Sequence, residues 1–481
     1  MPVNIGPVSM SYRADNALLQ TVSGGNATTT FAYDSLGQVL FSATVGDINA
    51  DTLLRQAFTY DALGRVVGLS ERVQGDTATY AYAYDAAGRL SEVRTGGVVT
   101  QAYTYDLNGN RTRVVTASQT LTAAYDAQDR LLNNGTATYV HAATGERTLT
   151  VVGPDTTRYR YDPFGNLRDV WLPSTQGGAH VQYEVDPQQR RTARLVNGVV
   201  TNRWLYQSQL AIAAEVDSVG NPVRTYVYGA HVNVPELMTT PSGQTFRFVT
   251  DQLGSVRLVM DALADTVVQR LDYDAYGRVV RDTKPGFQPF AYAGGEYEPL
   301  TGLVRFGARD YDAETGRWTA KDPAGFLGQD ENLYAYAGGS PVGDTDPSGL
   351  TVLNPRHYVV SDSVMRALNA FNRLIGCDRD ILITGGDRPR SSVLGARSGS
   401  LHTRGLAADI RVPGQRNLQT ANQAARSGLF NGVGWYEEGY QGENGEGPHV
   451  HVDLRAGPPA RWGYSASGEV FHGSFPAFPP K

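Results

Sequence analysis

This chain has a single cysteine, no long hydrophobic run and no strong excess of one charge. One cysteine among 481 residues excludes an internal disulfide framework and a zinc site built from thiolates. The chain has no apolar run of roughly 18 residues, so we expect no membrane-spanning helix. The N-terminal residues lack a basic segment followed by an apolar one, so we also expect no ordinary signal peptide. The net charge of -6 argues against nucleic-acid binding over the whole chain.

Charge and histidine are unevenly distributed. The first 350 residues are net acidic, whereas the remainder is net basic. Five of the eight histidines also lie in that last part, at His357, His402, His449, His451 and His472. Histidine is the commonest metal ligand in proteins, and a change in the sign of the charge often marks a domain boundary. We therefore predict a boundary near residue 350.

A short word recurs through the first part of the chain. It consists of an aromatic residue, Asp, two variable residues, Gly and often Arg, as in Tyr60-Asp61 with Gly64-Arg65. The word occurs at Tyr33, Tyr60, Tyr84, Tyr105, Tyr125, Tyr161, Tyr273 and Tyr311. Alternating apolar and polar residues flank it, which is typical of strands. Asp caps the backbone amides of a turn and Gly adopts positive φ, so each copy predicts a hairpin in one long, curling sheet.

These words resemble the YD repeats of the Rhs family of polymorphic toxins and of the C component of insecticidal toxin complexes. The resemblance covers nearly all of residues 20–350 and is strongest at residues 305–326, which are similar to the Rhs-associated core signature. It implies a mainly β fold, with a spiral sheet wound into a cocoon around a C-terminal toxin. Because such shells usually contain more residues than this one, we expect an incomplete cocoon. The predicted domains are a YD-repeat shell (1–300), an Rhs-associated core segment (301–350) and a toxin domain (351–481).

Two Asp-Pro-x-Gly words lie near the end of the shell, beginning at Asp322 and Asp346. Two carboxylates brought together share a proton and can act as acid and base on a peptide bond. The plain alternative is that both words only form turns, since Asp, Pro and Gly are favoured there. The Rhs resemblance implies aspartyl self-cleavage after Leu350.

The last part of the chain contains two segments that alternate like strands. In residues 406–412 the apolar positions point one way and Asp409 the other, and in residues 449–455 His451 lies opposite the valines. Neighbouring strands could aim both side chains at one point, and His402 could join them across a flexible turn. Two imidazoles and a carboxylate with an open fourth position are typical of a catalytic zinc site. The base that activates the zinc-bound water is predicted to be His449 or Glu446, and Asp453 could orient a ligand ring.

The same region resembles the group that contains D-Ala-D-Ala metallopeptidases, lysostaphin and hedgehog domains. The segment Ser400-Leu-His-Thr-Arg-Gly-Leu-Ala-Ala-Asp-Ile410 carries that resemblance, which spans roughly residues 355–465. It implies a small α+β domain with Zn²⁺ held by His402, Asp409 and His451, and substrate carboxylate bound by Arg388. A competing register makes Glu446 and His449 the base and the ligand instead.

The two resemblances together predict a secreted antibacterial effector whose zinc peptidase hydrolyses peptidoglycan stem peptides, as a DD- or LD-carboxypeptidase or an endopeptidase. We expect it to be made in the cytoplasm, exported by a dedicated machine such as type VI secretion, and active in the periplasm or cell wall of the target. Its expected partners are an immunity protein and a secretion spike or adaptor, without nucleic acid. The alternatives are a structural or adhesive YD-repeat protein with a non-catalytic metal domain, and a nuclease toxin, which the weak basic charge disfavours.

Overall fold

The computed structural model describes residues 3–13, 19–34, 38–323, 325, 332–349, 368, 382–385, 407–411, 417–427, 429–436, 449–454, 460–464 and 470–472. It divides into two compact units. The first unit contains residues 1–325 and 330–349, and the second contains residues 326–329 and 350–481. Among the described residues, no helix combines the length and the hydropathy that crossing a membrane requires.

The first unit is built from antiparallel strands that pair in the order of the sequence. A 12-stranded sheet is followed by a 16-stranded sheet and a four-stranded sheet. The first sheet contains β1 (Val3–Ile5), β2 (Val8–Tyr12), β3 (Leu19–Gly24), β4 (Ala27–Tyr33), β5 (Val39–Gly46), β6 (Thr52–Tyr60), β7 (Val66–Val73), β8 (Asp76–Tyr84), β9 (Leu90–Thr95), β10 (Val98–Tyr105), β11 (Arg111–Thr116) and β12 (Thr120–Thr122). Because each strand pairs with its neighbour in sequence, short hairpins account for most of the sheet.

The second and third sheets continue the same meander. The second contains β13 (Ala124–Tyr125), β14 (Leu131–Asn133), β15 (Thr138–His141), β16 (Arg147–Val152), β17 (Asp155–Tyr161), β18 (Leu167–Trp171), β19 (His180–Val185), β20 (Arg191–Val196), β21 (Val199–Tyr206), β22 (Ile212–Val216), β23 (Pro222–Val227), β24 (Leu237–Thr239), β25 (Thr245–Thr250), β26 (Val256–Asp261), β27 (Thr266–Tyr273) and β28 (Val279–Asp282). The third contains β29 (Glu296–Glu298), β30 (Leu303–Phe306), β31 (Arg309–Asp312) and β32 (Arg317–Trp318). Short 3-10 turns lie at Ser174–Gln176, Tyr292–Gly294 and Ala337–Gly339.

The tyrosine-aspartate words whose residues are all described form tight turns, as the sequence predicts. In the copy after β6, the Oδ1 atom of Asp61 accepts hydrogen bonds from the amides of Leu63 and Arg65, both at 3.0 Å. Gly64 has a φ of 80°, a conformation that a residue with a Cβ rarely adopts. The Arg65 Nε atom donates to Asp61 Oδ2 at 2.8 Å and closes the turn. The hairpin prediction is therefore confirmed at this word.

The tyrosine and arginine of the word join successive hairpins. The hydroxyl of Tyr60 donates to the carbonyl of Val39 at 2.7 Å, and that of Tyr84 donates to Val66 at 2.7 Å. The guanidinium of Arg65 lies 4.6 Å from the ring centroid of Tyr84, the tyrosine of the next word. Such a cation–π contact stabilises by about 0.5–1 kcal/mol at a partly exposed site. The repeated word thus encodes the turn and also its attachment to both neighbours.

Late strands of the second sheet pack on the first sheet. One buried cluster contains Leu54 and Val73 from β6 and β7 together with Leu258 and Met260 from β26. A second cluster joins Val8, Met10 and Val22 to Leu237, and a third joins Leu90, Val93 and Tyr103 to Tyr276. Strands about 200 residues apart can meet only if the sheet curls back on itself. The prediction of a mainly β, spiral YD-repeat sheet is confirmed.

The described residues 296–323, 325 and 332–349, which we call the closing segment, lie on one edge of this sheet. That edge, the turn edge, consists of the turns at residues 106–110, 126–130, 142–146, 162–166 and 186–190. The side-chain contacts run from Arg305 to Asn166 and Gln189, from Arg317 to Asn110 and Asp129, and from Tyr334 to Gly145, at 2.6–3.1 Å. Each of the five turns therefore receives at least one hydrogen bond, which fixes the closing segment across them.

The second unit contains a six-stranded sheet and, among its described residues, one longer helix. The strand order is β33-β34-β36-β35-β37-β38, with β35 and β37 parallel. The elements are β33 (Leu382–Gly385), β34 (Ala407–Arg411), α1 (Asn417–Ser427), β35 (Gly432–Tyr436), β36 (Val450–Asp453), β37 (Ala460–Tyr464) and β38 (Val470–His472). The core contains Leu368, Ala408, Ile410, Ala421, Ala424, Phe430, Val433, Trp435, Val450 and Val452. This unit is α+β, and β34 and β36 lie within the two predicted strands.

Candidate active sites

The hairpin between β30 and β31 places an arginine against the last turn of the shell. Gly307 connects the two strands with a φ of 41°, and a Cβ at this position would collide with the backbone of Ser348. The amide of Ala308 donates to the Ser348 carbonyl at 2.9 Å. Only glycine permits this close approach, which brings Arg309, the first residue of β31, beside the turn at residues 346–349.

Arg309 joins both aspartates of the Asp-Pro-x-Gly words. Its Nη2 atom lies 2.9 Å from Asp322 Oδ2 and 3.2 Å from Asp346 Oδ2. Its Nε atom donates to the carbonyl of Gly349 at 2.7 Å, and Trp318 covers the guanidinium at 4.1 Å. The three charged side chains are each less than a tenth exposed. The structure thus brings together the two carboxylates that the sequence singled out.

The two carboxylates of this cluster share one guanidinium as a common partner. The hydroxyl of Ser348 donates to Asp346 Oδ1 at 3.1 Å, so the two oxygens of Asp346 have different partners.

The predicted cut lies next to this cluster along the chain. Leu350 itself lies outside the described residues, but Gly349, which Arg309 holds, immediately precedes it. Gly349 has a φ of 64°, and a Cβ there would lie 2.6 Å from the Phe306 carbonyl oxygen. The chain is therefore tightly held on the shell side of the bond that the sequence predicts to break.

Arg309 is the member of this site that the sequence analysis did not single out. Its signal is the segment Arg305-Phe-Gly-Ala-Arg309-Asp-Tyr-Asp, in which charged residues interrupt an apolar strand. Charged residues in a buried strand are rarely tolerated without partners, so they indicate ion pairs formed on folding. The pattern does not indicate which carboxylates those partners are.

In the second unit, the register of the sheet pairs two of the predicted zinc ligands. Asp409 of β34 lies directly opposite His451 of β36 in an antiparallel pair. The Nε2 atom of His451 lies 3.1 Å from Oδ2 of Asp453, which is fully buried. Gly432 leaves room for this carboxylate, because a Cβ there would overlap it. Asp453 thus occupies the position of a carboxylate that orients a ligand ring.

Of the other residues predicted for the peptidase site, the structure describes only some. His449 is 7% exposed, and its ring stacks on Tyr436 with the centroids 4.1 Å apart. Arg388, His402 and Glu446 lie outside the described residues. No group of three His, Cys, Asp or Glu side chains close enough to hold a metal occurs within the described parts of the chain. The two strands fit the chemistry of a His and Asp ligand set at paired positions.

Comparison with known proteins places the first unit among YD shells. The family model of the teneurin YD-shell matches residues 3–342. Teneurin-3 of Danio rerio is 29% identical over 301 residues, 59% of this chain and 11% of that protein. The tRNA3(Ser)-specific nuclease WapA of Bacillus spizizenii is 28% identical over 365 residues, 70% of this chain and 14% of that protein. The chain therefore spans only a small fraction of the length of these relatives.

Solved structures show the same fold. The crystal structure of TcdB2-TccC3 superposes with a TM-score of 0.59 at 19% identity, covering 71% of this chain and 20% of that one. The Photorhabdus luminescens Tc holotoxin pore gives a TM-score of 0.57 at 19% identity, covering 72% and 19% of the two chains. At these identities the likeness shows a shared fold.

Proposed function

Because the chain belongs to the teneurin YD-shell family, we propose that it is a toxin carrier that cuts itself after Leu350. The cut would separate the C-terminal domain from the shell. The observation that carries this proposal is the cluster of Arg309, Asp322 and Asp346 around the carbonyl of Gly349. A pair of turn-forming aspartates needs no shared guanidinium, whereas a catalytic pair needs fixed mutual geometry.

The proposed reaction is hydrolysis of the peptide bond between Leu350 and Thr351. The ionised carboxylate of the pair accepts a proton from water as the water oxygen adds to the Leu350 carbonyl carbon. The protonated carboxyl group donates its proton to the Thr351 nitrogen as the carbon–nitrogen bond breaks. Arg309 is a positioning residue in this scheme, because it keeps both carboxylates and the preceding carbonyl in register.

Intact-mass spectrometry of the purified chain tests this proposal. We expect two fragments that separate after Leu350 in the unaltered protein, and one full-length species for Asp322→Asn and for Asp346→Asn. The control is Asp274→Asn, which alters an aspartate whose Oδ1 only accepts the turn amides of Tyr276 and Arg278 and whose Oδ2 pairs with Arg278. An uncut chain in the unaltered protein, or cutting that survives both substitutions, would contradict the proposal.

The released domain is proposed to be a zinc peptidase. The support is the pairing of Asp409 with His451 and the contact between His451 and Asp453. His402, Asp409 and His451 would hold Zn²⁺, which polarises a carbonyl and lowers the pKa of a bound water. The chain's own residues would then act on the substrate, with His449 or Glu446 accepting a proton and Arg388 binding a carboxylate.

Digestion of muropeptides by the released domain tests the peptidase proposal. We expect stem peptides to be shortened, and both the activity and the bound zinc to be lost in His451→Ala and Asp409→Ala. His472→Ala is the control, because His472 lies on β38, away from the paired positions of β34 and β36. Zinc retained by both ligand variants, or intact muropeptides with zinc-loaded protein, would contradict the assignment.

A nuclease is the second candidate activity for the released domain. WapA of Bacillus spizizenii, which shares the shell, is named a tRNA3(Ser)-specific nuclease. Incubating the released domain with total tRNA and with muropeptides in parallel separates the two candidates. A domain that cuts neither substrate but binds zinc would favour a structural or adhesive role for the chain.

The proposed setting is antibacterial. A toxin that its shell holds until export would spare the producing cell and act in the periplasm or cell wall of the target cell. We propose a cognate immunity protein in the producer and a spike or adaptor of a secretion machine, such as type VI, as partners. Killing of a susceptible strain in coculture, and its loss in Asp346→Asn, tests this setting.

A further inference from the structure

Arginine is the last residue of several tyrosine-aspartate words, and it fastens its own turn to the next one. In the word at residues 85–89, the Nε atom of Arg89 donates to Asp85 Oδ2 at 2.7 Å. Its Nη1 atom donates to the carbonyl of Asp106, in the next turn, at 2.9 Å. The guanidinium also lies 4.6 Å from the ring centroid of Tyr105, the tyrosine of the next word. One side chain thus contacts its own aspartate, the next turn and the next tyrosine.

Two words of the turn edge end in asparagine instead, at Asn110 and Asn166. The amide nitrogen of each donates to the aspartate of its own word, Asn110 to Asp106 at 3.0 Å and Asn166 to Asp162 at 3.2 Å. Asn110 and Asn166 are only 1% and 2% exposed. The amide group therefore replaces arginine in bonding the aspartate, and its Oδ1 atom offers a buried acceptor, which a guanidinium cannot provide.

An arginine of the closing segment bonds the first of these asparagines. The Nη1 atom of Arg317 donates to Asn110 Oδ1 at 2.8 Å, and its Nη2 atom donates to the carbonyl of Asp129, in the next turn, at 2.6 Å. The guanidinium of Arg317 lies 4.8 Å from the ring centroid of Tyr125, the tyrosine of that next word. Arg317 thus makes the contacts with the next turn and the next tyrosine that Arg89 makes from within its own word.

The second asparagine is bonded in the same way. The Nη2 atom of Arg305 donates to Asn166 Oδ1 at 3.0 Å and to the carbonyl of Gln189, in the next turn, at 3.1 Å. Valine precedes the aspartate of that next turn, at Val185, so no tyrosine ring is available for the guanidinium there. The two words of the turn edge that lack their own arginine are therefore the two whose last residue is bonded by an arginine of the closing segment.

We propose that Asn110 and Asn166 form a docking site for a segment that carries two matching arginines, and that the closing segment is its occupant. The site selects by chemistry, because an asparagine Oδ1 accepts a hydrogen bond from a guanidinium, whereas an arginine at the same position would repel it. The two asparagines thereby determine which turns the closing segment crosses. Docking at Asn166 also positions the hairpin that carries Arg309, since Arg305 and Arg309 lie on its two strands. The docking site itself does not depend on the proposed self-cleavage.

Replacing each asparagine with arginine tests the docking site. The new arginine restores the usual word, but it places a second guanidinium where one from the closing segment binds. We expect the amides of strands β30 to β32 to exchange hydrogen at least about 10-fold faster in Asn110→Arg and in Asn166→Arg. The closing segment precedes Leu350, so this measurement is valid whether or not the chain cuts itself. Unchanged exchange in both variants would overturn the proposal.

Asn221→Arg is the matched control. Asn221 ends the turn at residues 217–221 and donates from Nδ2 to Asp217 Oδ2 at 3.0 Å, as the two docking asparagines do to their own aspartates. Its side chain is exposed, however, and it receives no hydrogen bond from a described arginine. We expect this substitution to leave the exchange of β30 to β32 unchanged. If it accelerated exchange as much as the other two, arginine at this position of a turn would be destabilising by itself, and the proposal would fail.

Exchanging the two side chains separates docking from crowding, because an arginine at a buried position also adds bulk. The double variant Asn110→Arg with Arg317→Asn returns one guanidinium and one amide to the contact, with the guanidinium now beside Asp106. We expect the double variant to recover most of the protection from exchange that each single variant loses. A double variant that exchanges as fast as the two single losses combined would overturn the proposal, since the pair would then not recognise each other.

Discussion

The Nε atom of Arg309 holds the carbonyl oxygen of Gly349 at 2.7 Å, while its Nη2 atom reaches both Asp322 and Asp346. A guanidinium can make these contacts together because its donors point in several fixed directions within one plane. The residue before the predicted cut is therefore fixed relative to both carboxylates. This relationship supports the proposed self-cleavage over two turns that merely share a sequence.

Replacing Arg309 with lysine should slow self-cleavage about 10-fold or more, since one ammonium cannot hold all three acceptors. A time course of intact mass after rapid purification measures the rate. The pH profile of cleavage should also shift, because the guanidinium that contacts both carboxylates is replaced. The control is Arg278→Lys, which changes an arginine 57% exposed in a YD turn. A change in Tm with an unchanged rate and pH profile would show that Arg309 only stabilises the fold.

Removing the hydroxyl of Tyr84 should destabilise the shell by about 0.5–1.5 kcal/mol. The hydroxyl bonds the Val66 carbonyl at 2.7 Å, and Tyr84→Phe leaves that acceptor without this donor. Urea unfolding of the full chain measures the change. Tyr80→Phe is the control, because its hydroxyl makes no hydrogen bond to a described residue. An equal loss of unfolding free energy in both variants would mean that the hydrogen bond from the Tyr84 hydroxyl to the Val66 carbonyl contributes little to stability.

The contacts between the closing segment and the turn edge predict that replacing Arg317 strongly destabilises the shell. This side chain is 5% exposed and donates to Asn110 Oδ1 at 2.8 Å and to the Asp129 carbonyl at 2.6 Å. Arg317→Met removes both bonds and leaves the Asp129 carbonyl without this donor, which should cost about 2–5 kcal/mol. Limited proteolysis should then cut first within the closing segment. If proteolysis began instead within residues 38–100, Arg317 would not be what holds the closing segment on the turn edge.

Acid should destabilise the shell through His141. Burial lowers the pKa of this imidazole to about 4, from an ordinary value of 6.5, and Arg147 and Arg130 act in the same direction. Between these pH values the unfolded chain takes up a proton that the folded chain does not, so stability falls as the pH decreases from 6.5 to 4. His141→Gln should remove about 1–3 kcal/mol of that decrease. Urea unfolding at pH 7 and pH 4.5 measures it, and parallel decreases in both proteins would contradict the prediction.

The sequence predicts those parts of the structure that depend on neighbours in the chain. The word Tyr60-Asp61 with Gly64-Arg65 contains its own turn, because the carboxylate, the glycine and the arginine all act within five residues. The alternation around Asp409 similarly anticipates strand β34. These interactions join residues close together in the chain, so they can be recognised as a pattern in the sequence.

Contacts between distant parts of the shell could not be predicted from the sequence in this way. The bond between Arg317 and Asn110 joins residues about 200 positions apart, and it depends on the accumulated twist of many hairpins. The role of Arg309 is likewise set by the fold of the closing segment, which brings Asp322, Asp346 and Gly349 to its guanidinium. Helix α1 was not predicted from the sequence.

Asp453 provides a test of the zinc site that does not rely on a ligand substitution. Its Oδ2 atom lies 3.1 Å from His451 Nε2, and its carboxylate is fully buried. A carboxylate that orients a ligand imidazole also raises its basicity, so its loss typically weakens zinc binding about 10–100-fold. Asp453→Asn keeps the shape of the side chain but removes the charge, so the variant should still fold.

Competition with a fluorescent chelator measures the zinc affinity of the unaltered domain, of Asp453→Asn and of Asp409→Ala. We expect intermediate affinity for the first variant and no measurable binding for the second, because Asp409 would contact the metal and Asp453 would act only through His451. Identical affinities for the unaltered domain and Asp453→Asn would show that the contact with His451 stabilises the sheet without tuning a ligand. Loss of binding in both variants would instead place Asp453 in direct contact with the metal, and the ligand set would have to be reassigned.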